Sequence, residues 1–393
     1  MPLPNAGPIV DLYPNRGLVL TRGEGAYLFT RDGRRFLDLM TNYGANLLGH
    51  AHPAVTRAIA AQLETVVGMH GSFGNDIRSK ASVALLERLP MPGGSLYWGN
   101  SGTEAVEAAI KFAVAATGRL GFIAATGGYH GKTLGALALT HAGKYRTLFD
   151  RVLLPVRHVS YGSVDAVAAA IDATVAAVIV EPIQGESGIV VPPDGYLGEL
   201  RALCSERGAL LILDEIQTGG GRTGSFTVAE REGIEPDLLC LGKGLAGGLP
   251  VGITAVAPTV AEHLTKGLQT STFGGNPLVA AGLLATLAVI DPPLLARVAA
   301  LGDAFRRRLT ELVPPEVAVR GRGLMVGVAV GAGRDRVLKS LQDRGILAIP
   351  AGDDVVRFLP PLTVTEAQLE EGAIGLAEAR TDAAKRSGGP GPA

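Results

Sequence analysis

Short apolar runs alternate with longer segments of mixed polarity through the middle of the chain. Each run ends in glycine or in a polar residue, and the runs occupy residues 95–100, 120–128, 176–186, 208–220 and 236–244. Segments with helical periodicity lie between them, at 101–118, 164–174 and 195–207. Continuous apolar strands that alternate with helices are typical of a parallel sheet covered on both faces. The pattern therefore predicts an α/β fold with a mainly parallel central sheet.

The two ends of the chain carry different patterns. Residues 18–39 suit a strand hairpin, with Asp32 and Gly33 as its turn. From about residue 293, two helical patterns surround short apolar strands at 323–330 and 354–362. We therefore expect both ends to form a smaller α+β domain beside the central sheet. The predicted units are an N-terminal segment of the small domain (1–45), a large domain (46–292), the C-terminal part of the small domain (293–380) and a disordered Gly/Pro-rich tail (381–393).

Composition adds a large core and a balanced charge to this picture. Hydrophobic residues make up 47% of the 393 residues and charged residues 19%, enough for a core and a buried subunit interface. The net charge of −1 provides no attraction for nucleic acid or an anionic membrane. The N-terminus lacks the pattern of a signal peptide, and no apolar stretch is long enough to span a bilayer. Cys204 and Cys240 lie in apolar contexts and predict buried thiols. We expect a cytoplasmic protein without nucleic-acid or membrane partners.

Three candidate binding groups lie at the ends of apolar runs, which is where ligands bind in open α/β sheets. Asn100 to Thr103 turn a strand into a helix, and free backbone N–H groups there suit a phosphate or a simple helix cap. Asp214 follows four apolar residues and needs a partner, such as a protonated pyridine nitrogen or a salt bridge. Lys243 lies among glycines, and it is interpreted either as a nucleophilic amine or as a cation whose charge reaches solvent while its stem is buried. Together they match the three anchoring points of pyridoxal phosphate (PLP).

The motifs, in their order along the chain, resemble those of the class III aminotransferases, which are PLP enzymes of fold type I. The resemblance is strongest to the acetylornithine/ornithine aminotransferase group, and it runs from about Tyr13 to Pro361. It implies a fold-type I transferase whose central sheet is covered by helices. The matching motifs are "GEGAYLFTRDGRRFLDL", "GHAHPAV", "NSGTEAVEAAIKFA", "GYHGKTLGAL", "VEPIQGESG", "LLILDEIQTGGGRTG", "LGKGLAGGLPVG", "STFGGNP" and "VRFLPPL".

The resemblance assigns the chemistry at the cofactor ring to three side chains. Lys243 would form the Schiff base with PLP and carry a proton between the substrate carbon and the cofactor carbon. Asp214 would pair with the pyridinium nitrogen, and Gln217 would bond the phenolic oxygen. His130 is expected to support these groups without contacting the substrate, and Glu215 is expected to be structural. No metal is expected.

The resemblance also assigns the residues that hold the rest of the cofactor. Backbone N–H groups of Gly102 and Thr103 would bind the phosphate, and the Tyr129 ring would stack on the cofactor. Thr272 of one subunit would reach the phosphate bound to the other subunit. A homodimer with shared active sites is therefore expected.

Substrate binding is implied for a further group of residues. Arg357 would bind a carboxylate of the dicarboxylate glutamate, and Glu186 would neutralise Arg357 when no substrate carboxylate is present. A surface ion pair is the alternative for these two residues. Where the acetylornithine and ornithine enzymes carry an arginine that grips a substrate carboxylate, this chain has Lys132. The other substrate-pocket residues implied are Tyr13, Tyr43 and Ser271.

These assignments predict an ω-amine transaminase. A terminal amine of an N-acetylornithine- or ornithine-type substrate would be converted to a semialdehyde, and 2-oxoglutarate would then be aminated to glutamate. Lysine in place of arginine at position 132 is also the pattern of diamine aminotransferases of the same class, so a diamine or 4-aminobutyrate donor is the alternative. An aminomutase of the same fold, which would need no external keto acid, is less favoured. A non-catalytic cofactor-binding regulator is less favoured still, because all the residues for the chemistry are present.

Overall fold

The computed structural model describes residues 10, 12–141 and 143–385. Numbered in chain order, the strands within these residues are β1 Leu20–Glu24, β2 Tyr27–Thr30, β3 Arg35–Asp38, β4 Ser95–Gly99, β5 Gly121–Ala125, β6 Val156–Val159, β7 Val175–Val180, β8 Leu210–Asp214, β9 Leu238–Gly242, β10 Gly252–Val256, β11 Val319–Arg322, β12 Met325–Ala329, β13 Ile346–Leu347, β14 Ile349–Ala351 and β15 Val355–Phe358. The longer helices are Pro53–Leu63, Asp76–Leu86, Gly102–Thr117, Tyr196–Arg207, Pro277–Val289, Pro292–Leu312, Arg334–Asp343 and Glu366–Lys385. Shorter helices are Leu134–Leu139, Gly143–Arg146, Val164–Ala170, Val228–Glu232 and Pro258–Ala261.

A seven-stranded sheet forms the centre of the fold, in the order β4-β10-β9-β8-β7-β5-β6. Strands β6, β5, β7, β8 and β9 pair in parallel, whereas β10 is antiparallel to both β9 and β4. Strands β7 and β9 are buried along their whole length, which explains their unbroken apolar sequences. Helices cover both faces of the sheet. The predicted α/β fold with a mainly parallel sheet is therefore confirmed, with β10 as its exception.

The direction of these strands brings their carboxyl ends to one edge of the sheet. Strand β4 is antiparallel to β10 and therefore runs in the same direction as the parallel strands. Ser101 follows β4, Glu181 follows β7 and Lys243 follows β9, while Asp214 is the last residue of β8. This edge is the place where we look for the functional site.

The chain ends form two further sheets, β1-β2-β3-β13 and β11-β12-β15-β14. The predicted hairpin is confirmed, since β2 and β3 pair antiparallel around Asp32 and Gly33. Strand β3 pairs in parallel with β13, so the N-terminal strands share a sheet with the C-terminal part of the chain. Strand β15 is buried and carries Arg357, also buried, towards the central sheet.

Two details of the C-terminal region differ from expectation. Three helices, rather than two, cover its strands, because residues 292–312, 334–343 and 366–385 are all helical. The last helix continues to Lys385, and its residues Leu376, Ala379 and Ala383 are buried. The predicted start of the tail at residue 381 is therefore too early. Residues 386–393 of that tail lie outside the described residues. The domain limits themselves stay a prediction.

No single helix in the described chain is both long and apolar enough to cross a bilayer. The helices Pro277–Val289 and Pro292–Leu312 have the length and apolar composition of a membrane span only when taken together. They are bent by 71° relative to each other.

Candidate active site

The helix Gly102–Thr117 begins directly behind the end of β4, at the carboxyl edge of the central sheet. Ser101 is its N-cap and accepts a hydrogen bond from the backbone N–H of Glu104 at 3.3 Å. Among the described residues, the backbone N–H groups of Gly102 and Thr103 have no partner. A Cβ on Gly102 would lie 2.9 Å from the side chain of Ile216, so glycine allows this close approach. The helix start is thus capped and still offers two free donors to an anion.

Lys243 follows β9 in a left-handed backbone conformation with φ of 50°. The glycines around it serve close packing, because a Cβ on Gly244 would lie 2.3 Å from Leu47 and one on Gly247 would lie 2.3 Å from Val55. Burial lowers the pKa of the Lys243 ammonium, while the nearby carboxylates, first among them that of Asp214, oppose this shift. No hydrogen bond or ion pair holds its side chain within the described chain. An unpaired amine with a lowered pKa is suited to nucleophilic attack and proton transfer.

Asp214 is buried at the end of β8, with its carboxylate fixed by two contacts. Its Oδ2 lies 2.8 Å from Nδ1 of the buried His130, and its Oδ1 accepts a hydrogen bond from the backbone N–H of Ile216 at 3.1 Å. His130 is positioned in turn by a hydrogen bond of 2.9 Å from its backbone N–H to Thr140 Oγ1. Nε2 of His130 is buried without a partner among the described residues. His130 therefore orients Asp214, in keeping with its expected supporting place.

Glu181 is a buried residue of the site to which the sequence analysis gave no role. Its Oε1 accepts a hydrogen bond from the backbone N–H of Tyr129, and its Oε2 accepts one from the backbone N–H of Gly185, both at 3.0 Å. Burial, and then the charge of Asp214, raise the pKa of Glu181 to about 7, against opposing effects of His130 and these two N–H groups. One carboxyl group thus joins the loops that follow β5 and β7.

Arg357 lies buried at the centre of a polar cluster on the small-domain side of the site. Its Nη2 is 2.7 Å from Oε1 of Glu186, and its Nη1 donates a hydrogen bond of 3.0 Å to Oε1 of Gln217. Nη2 also donates to the carbonyl oxygen of Pro350 at 3.3 Å. The Arg357 side chain is fully buried and that of Glu186 is 28% exposed. The alternative of a surface ion pair is therefore wrong for these residues.

Tyr43 reaches Arg357 from a strained turn. Its ring centre lies 5.6 Å from the guanidinium carbon of Arg357, within the range of a cation–π contact. Thr41, Asn42 and Tyr43 have φ angles of 43°, 50° and 58°, which is the left-handed region that residues with side chains seldom adopt. Such strain costs about 1–3 kcal/mol per residue and is concentrated at functional sites. The turn places Tyr43 beside the arginine that is predicted to bind the substrate.

Lys132 is exposed and lies beside an aromatic pair that includes Tyr129. Its ammonium is 4.4 Å from the centre of the Tyr145 ring, and that of Lys144 is 4.9 Å from the same ring centre. Tyr145 packs edge-on against Tyr129, with ring centres 6.0 Å apart. Burial, followed by the charge of Glu186, raises the pKa of the Tyr129 phenol to about 12, so that ring stays neutral. The structure thus connects Lys132 to the predicted stacking residue through one tyrosine.

Glu215 has a structural environment, as its sequence context predicts. Its carboxylate accepts hydrogen bonds from Thr218 Oγ1 at 2.9 Å and from the backbone N–H groups of Val228 and Ala229, both at 2.8 Å. Burial raises the pKa of Glu215 to about 7 although these bonds oppose the shift. The residue therefore joins the loop after β8 to the start of the next helix.

Three predicted residues lie apart from this cluster. Ser271 accepts a hydrogen bond of 3.0 Å from Nδ2 of Asn100, which places its loop beside the end of β4. Thr272 is exposed and Tyr13 is 82% exposed. Neither is joined to the cluster by a hydrogen bond, ion pair or ring contact within the described chain. Their roles at the site stay predictions.

The residues of this edge fit PLP. Two free N–H groups at the start of a long helix suit its phosphate, a buried and oriented carboxylate suits its ring nitrogen, and an unpaired lysine suits its aldehyde. No group of three His, Cys, Asp or Glu side chains placed to bind a metal occurs among the described residues.

Comparison with known proteins agrees with this geometry. The family model "Aminotransferase class-III" matches residues 12–379. The acetylornithine aminotransferase of Methanopyrus kandleri is 43% identical over 374 residues, which cover 94% of this chain and 96% of the relative. The acetylornithine aminotransferase of Mycobacterium tuberculosis is 43% identical over 370 residues, which cover 92% of this chain and 91% of the relative.

Solved structures give the same result. The ornithine aminotransferase of Toxoplasma gondii, in a structure with PLP partly occupying the active site, has a TM-score of 0.92 and 31% identity over 96% of this chain and 92% of its own. An acetylornithine aminotransferase from Elizabethkingia anophelis has a TM-score of 0.82 and 28% identity over 95% and 96% of the two chains. The chain therefore belongs to the class III aminotransferases and is a PLP-dependent transaminase of fold type I.

Proposed function

We propose that the enzyme transfers the terminal amine of N-acetylornithine, or of ornithine, to 2-oxoglutarate. The observation that carries this proposal is the buried Arg357, which is paired with Glu186 beside the unpaired Lys243. A transaminase that alternates between an amine donor whose reacting carbon carries no carboxylate and glutamate, whose reacting carbon carries one, needs a cation that can be neutralised in one half-reaction and used in the other. The acetylornithine aminotransferases similar to this chain support the choice of donor.

The described residues supply the parts of the reaction that the protein performs. PLP, when bound, provides an aldehyde that takes up the amine and a ring that accepts electrons from the substrate carbon. Lys243 moves the proton at that carbon, which its lowered pKa permits. Asp214, oriented by His130, offers a fixed negative charge to the ring nitrogen. Tyr129, held through its backbone by Glu181, covers the ring as a neutral aromatic.

The acceptor half-reaction involves Arg357. When no substrate carboxylate lies at Arg357, Glu186 balances the guanidinium charge, which would otherwise be buried without a counter-charge. When 2-oxoglutarate or glutamate binds, the carboxylate on its reacting carbon replaces Glu186 on Arg357, and the partly exposed Glu186 side chain moves away. The Tyr43 ring keeps its cation–π contact with the guanidinium in both states.

A diamine or 4-aminobutyrate donor is the second candidate, and Lys132 is the observation that favours it. The position faces the Tyr145 ring as a single ammonium, where the acetylornithine enzymes present an arginine fork. A diamine carries no carboxylate for an arginine to bind, so the loss of the fork would not weaken its binding.

We also infer that the enzyme is a homodimer with shared active sites. Support comes from the exposed Thr272 and Phe273, which extend from a loop next to the phosphate-binding end of β4. Contiguous apolar surface, unlike a single exposed side chain, marks an interaction surface. A nearby groove of about 500 Å³ has an apolar lining that includes Ile110, Val114, Leu120, Phe122, Leu134 and Leu154. A cytoplasmic location, supported by two buried free thiols, is proposed as well and can be tested by cell fractionation.

The donor is identified by a panel of amines assayed with 2-oxoglutarate, with glutamate as the measured product. N-acetylornithine, ornithine, putrescine and 4-aminobutyrate are compared at equal concentration with the PLP-loaded enzyme. We expect the highest kcat/KM for N-acetylornithine. A preference for putrescine would establish the second candidate, and turnover without 2-oxoglutarate would identify an aminomutase.

A further inference from the structure

Gln217 has two neighbours that together suggest a role beyond the cofactor. Its Oε1 accepts the hydrogen bond of 3.0 Å from Nη1 of Arg357. Arginine carries only donors, so the amide oxygen must face Arg357 and the Nε2 donors must point to the other side. No partner for Nε2 exists among the described residues. The amide can therefore bind the cofactor's phenolic oxygen and Arg357 at the same time.

Gln217 and Glu186 differ in their freedom to move. Gln217 lies three residues after Asp214 in a loop fixed by the bonds of Asp214 and Glu215. Its amide fills the space left by a glycine, because a Cβ on Gly185 would lie 2.3 Å from Oε1. Glu186 is 28% exposed and follows that glycine, so its side chain has room to turn away. Of the two side chains that bond Arg357, only Glu186 is placed to leave.

We propose that Gln217 is the stationary partner of Arg357, which it keeps oriented for a substrate carboxylate while Glu186 and that carboxylate exchange. The inference rests on the proposed function, since the dicarboxylate half-reaction supplies the ligand of Arg357. Gln217 is then a positioning residue for acceptor specificity in addition to its predicted bond to the cofactor. Gly185 is a glycine because the amide needs its space.

The test uses glutarate, a dicarboxylate that cannot be transaminated, and measures its Kd by calorimetry with both apoenzyme and PLP-loaded enzyme. Gln217→Met keeps the length of the side chain but removes the acceptor. We expect it to weaken glutarate binding about tenfold in both forms, since a hydrogen bond to a charged group is lost. The apoenzyme result is informative because no cofactor contact can contribute there. Gln62→Met is the control and should bind glutarate normally, because the Gln62 amide bonds only Thr65 and Val66 within the described chain.

A second variant displaces the amide without altering it. Gly185 lies outside the positive-φ region, so Gly185→Ala is permitted by the backbone, but its Cβ must push the Gln217 amide aside. We expect a glutarate defect similar to that of Gln217→Met. Adding Gly185→Ala to Gln217→Ala should cost nothing more, because the obstructed group is gone. Gly198→Ala is the matched control, since the nearest atom to its Cβ lies 3.8 Å away on Ile234.

The outcomes separate this inference from the proposed function. Equal glutarate Kd values for the unmodified enzyme and Gln217→Met, with a changed PLP affinity, would overturn the inference and leave Gln217 with the cofactor alone. Additive losses in the Gly185→Ala and Gln217→Ala pair would also overturn it. Failure of the unmodified enzyme to bind glutarate in either form would instead contradict the dicarboxylate half of the proposed function. Far-UV circular dichroism confirms that each variant is folded.

Discussion

Lys132 stands where the resemblance implies an arginine in the acetylornithine and ornithine enzymes, and its surroundings make this difference testable. Its ammonium shares the Tyr145 ring with that of Lys144, so two point charges lie at this ring, and neither offers the planar fork of an arginine. If the donor carboxylate binds here, Lys132→Arg should lower the KM for N-acetylornithine about tenfold through one added charge-assisted bond. Steady-state kinetics with N-acetylornithine and putrescine measure the effect.

For putrescine the same substitution should leave KM unchanged or raise it, since a diamine brings no partner for the guanidinium. Lys80→Arg, on an exposed helix face beside Asp76, is the control and should alter neither donor. A parallel change of both KM values after Lys132→Arg would show that position 132 does not bind the carboxylate.

Glu181 and Glu215 are both buried carboxyl groups with raised pKa values, and they give a second prediction at the residue scale. Burial raises the pKa of each carboxyl group to about 7, from 4.5 when exposed. Between these pH values the folded protein holds more protons than the unfolded chain, so stability is present at low pH and is lost as pH rises towards 7. Between pH 5 and 7.5, the unfolding free energy of Glu181→Gln and of Glu215→Gln should fall less than that of the unmodified enzyme, by about 1–3 kcal/mol. Urea denaturation at several pH values measures this.

The two variants should differ at the active site. Glu181→Gln places an NH₂ group against a backbone N–H of Tyr129 or Gly185, so we expect weaker PLP binding. Glu215→Gln disturbs only the loop and helix start that Glu215 joins, so its PLP affinity should stay close to normal. Equal PLP affinities in the two variants would show that Glu181 does not support the cofactor site. If the pH dependence of stability were unchanged in both variants, the raised pKa values would be contradicted.

At the scale of elements, the approach of the helix Gly102–Thr117 to the loop after β8 determines the phosphate site. A Cβ on Gly102 would lie 2.9 Å from Ile216, which is between Asp214 and Gln217. Alanine is otherwise favoured in helices, so Gly102→Ala tests this contact alone. We expect overpacking to cost about 1–3 kcal/mol of unfolding free energy and to raise the PLP Kd at least tenfold. Calorimetric PLP titration of the apoenzyme and thermal melting provide the two values, and unchanged PLP binding would argue against a phosphate site here.

The same scale shows what the sequence could and could not predict. Apolar runs predicted the strands, and the residues that end them predicted the edge of the sheet with Asp214 and Lys243, because backbone direction alone brings these ends together. Glu181 follows six buried apolar residues, the same signal as Asp214, and could have been found by it. The contact between Lys132 and Tyr145 could not, because it depends on how a short helix packs against the loop after β5. The bond between Gln217 and Arg357 likewise requires the small-domain strands to dock on the central sheet.

At the scale of the whole molecule, the proposed homodimer explains why some predicted residues lie outside the cluster. Thr272 is exposed, although its neighbour Ser271 touches Asn100 at the end of β4. A loop in this position can extend from one subunit towards the phosphate bound to the other. If it does so, each active site combines Lys243 of one subunit with Thr272 of its partner.

Mixed dimers test this arrangement. Lys243→Ala should abolish transamination, and Thr272→Ala should weaken PLP binding through the loss of a phosphate contact. When the two variants are unfolded, mixed in equal amounts and refolded, each mixed dimer carries one site with both substitutions and one site with neither. Because about half of the dimers are mixed, about one quarter of all sites should regain normal PLP affinity and activity. If Thr272 instead serves the site of its own subunit, every mixed dimer carries one substitution in each site, and no normal site reappears. PLP titration and turnover of the refolded mixture, compared with each variant refolded alone, distinguish the two arrangements.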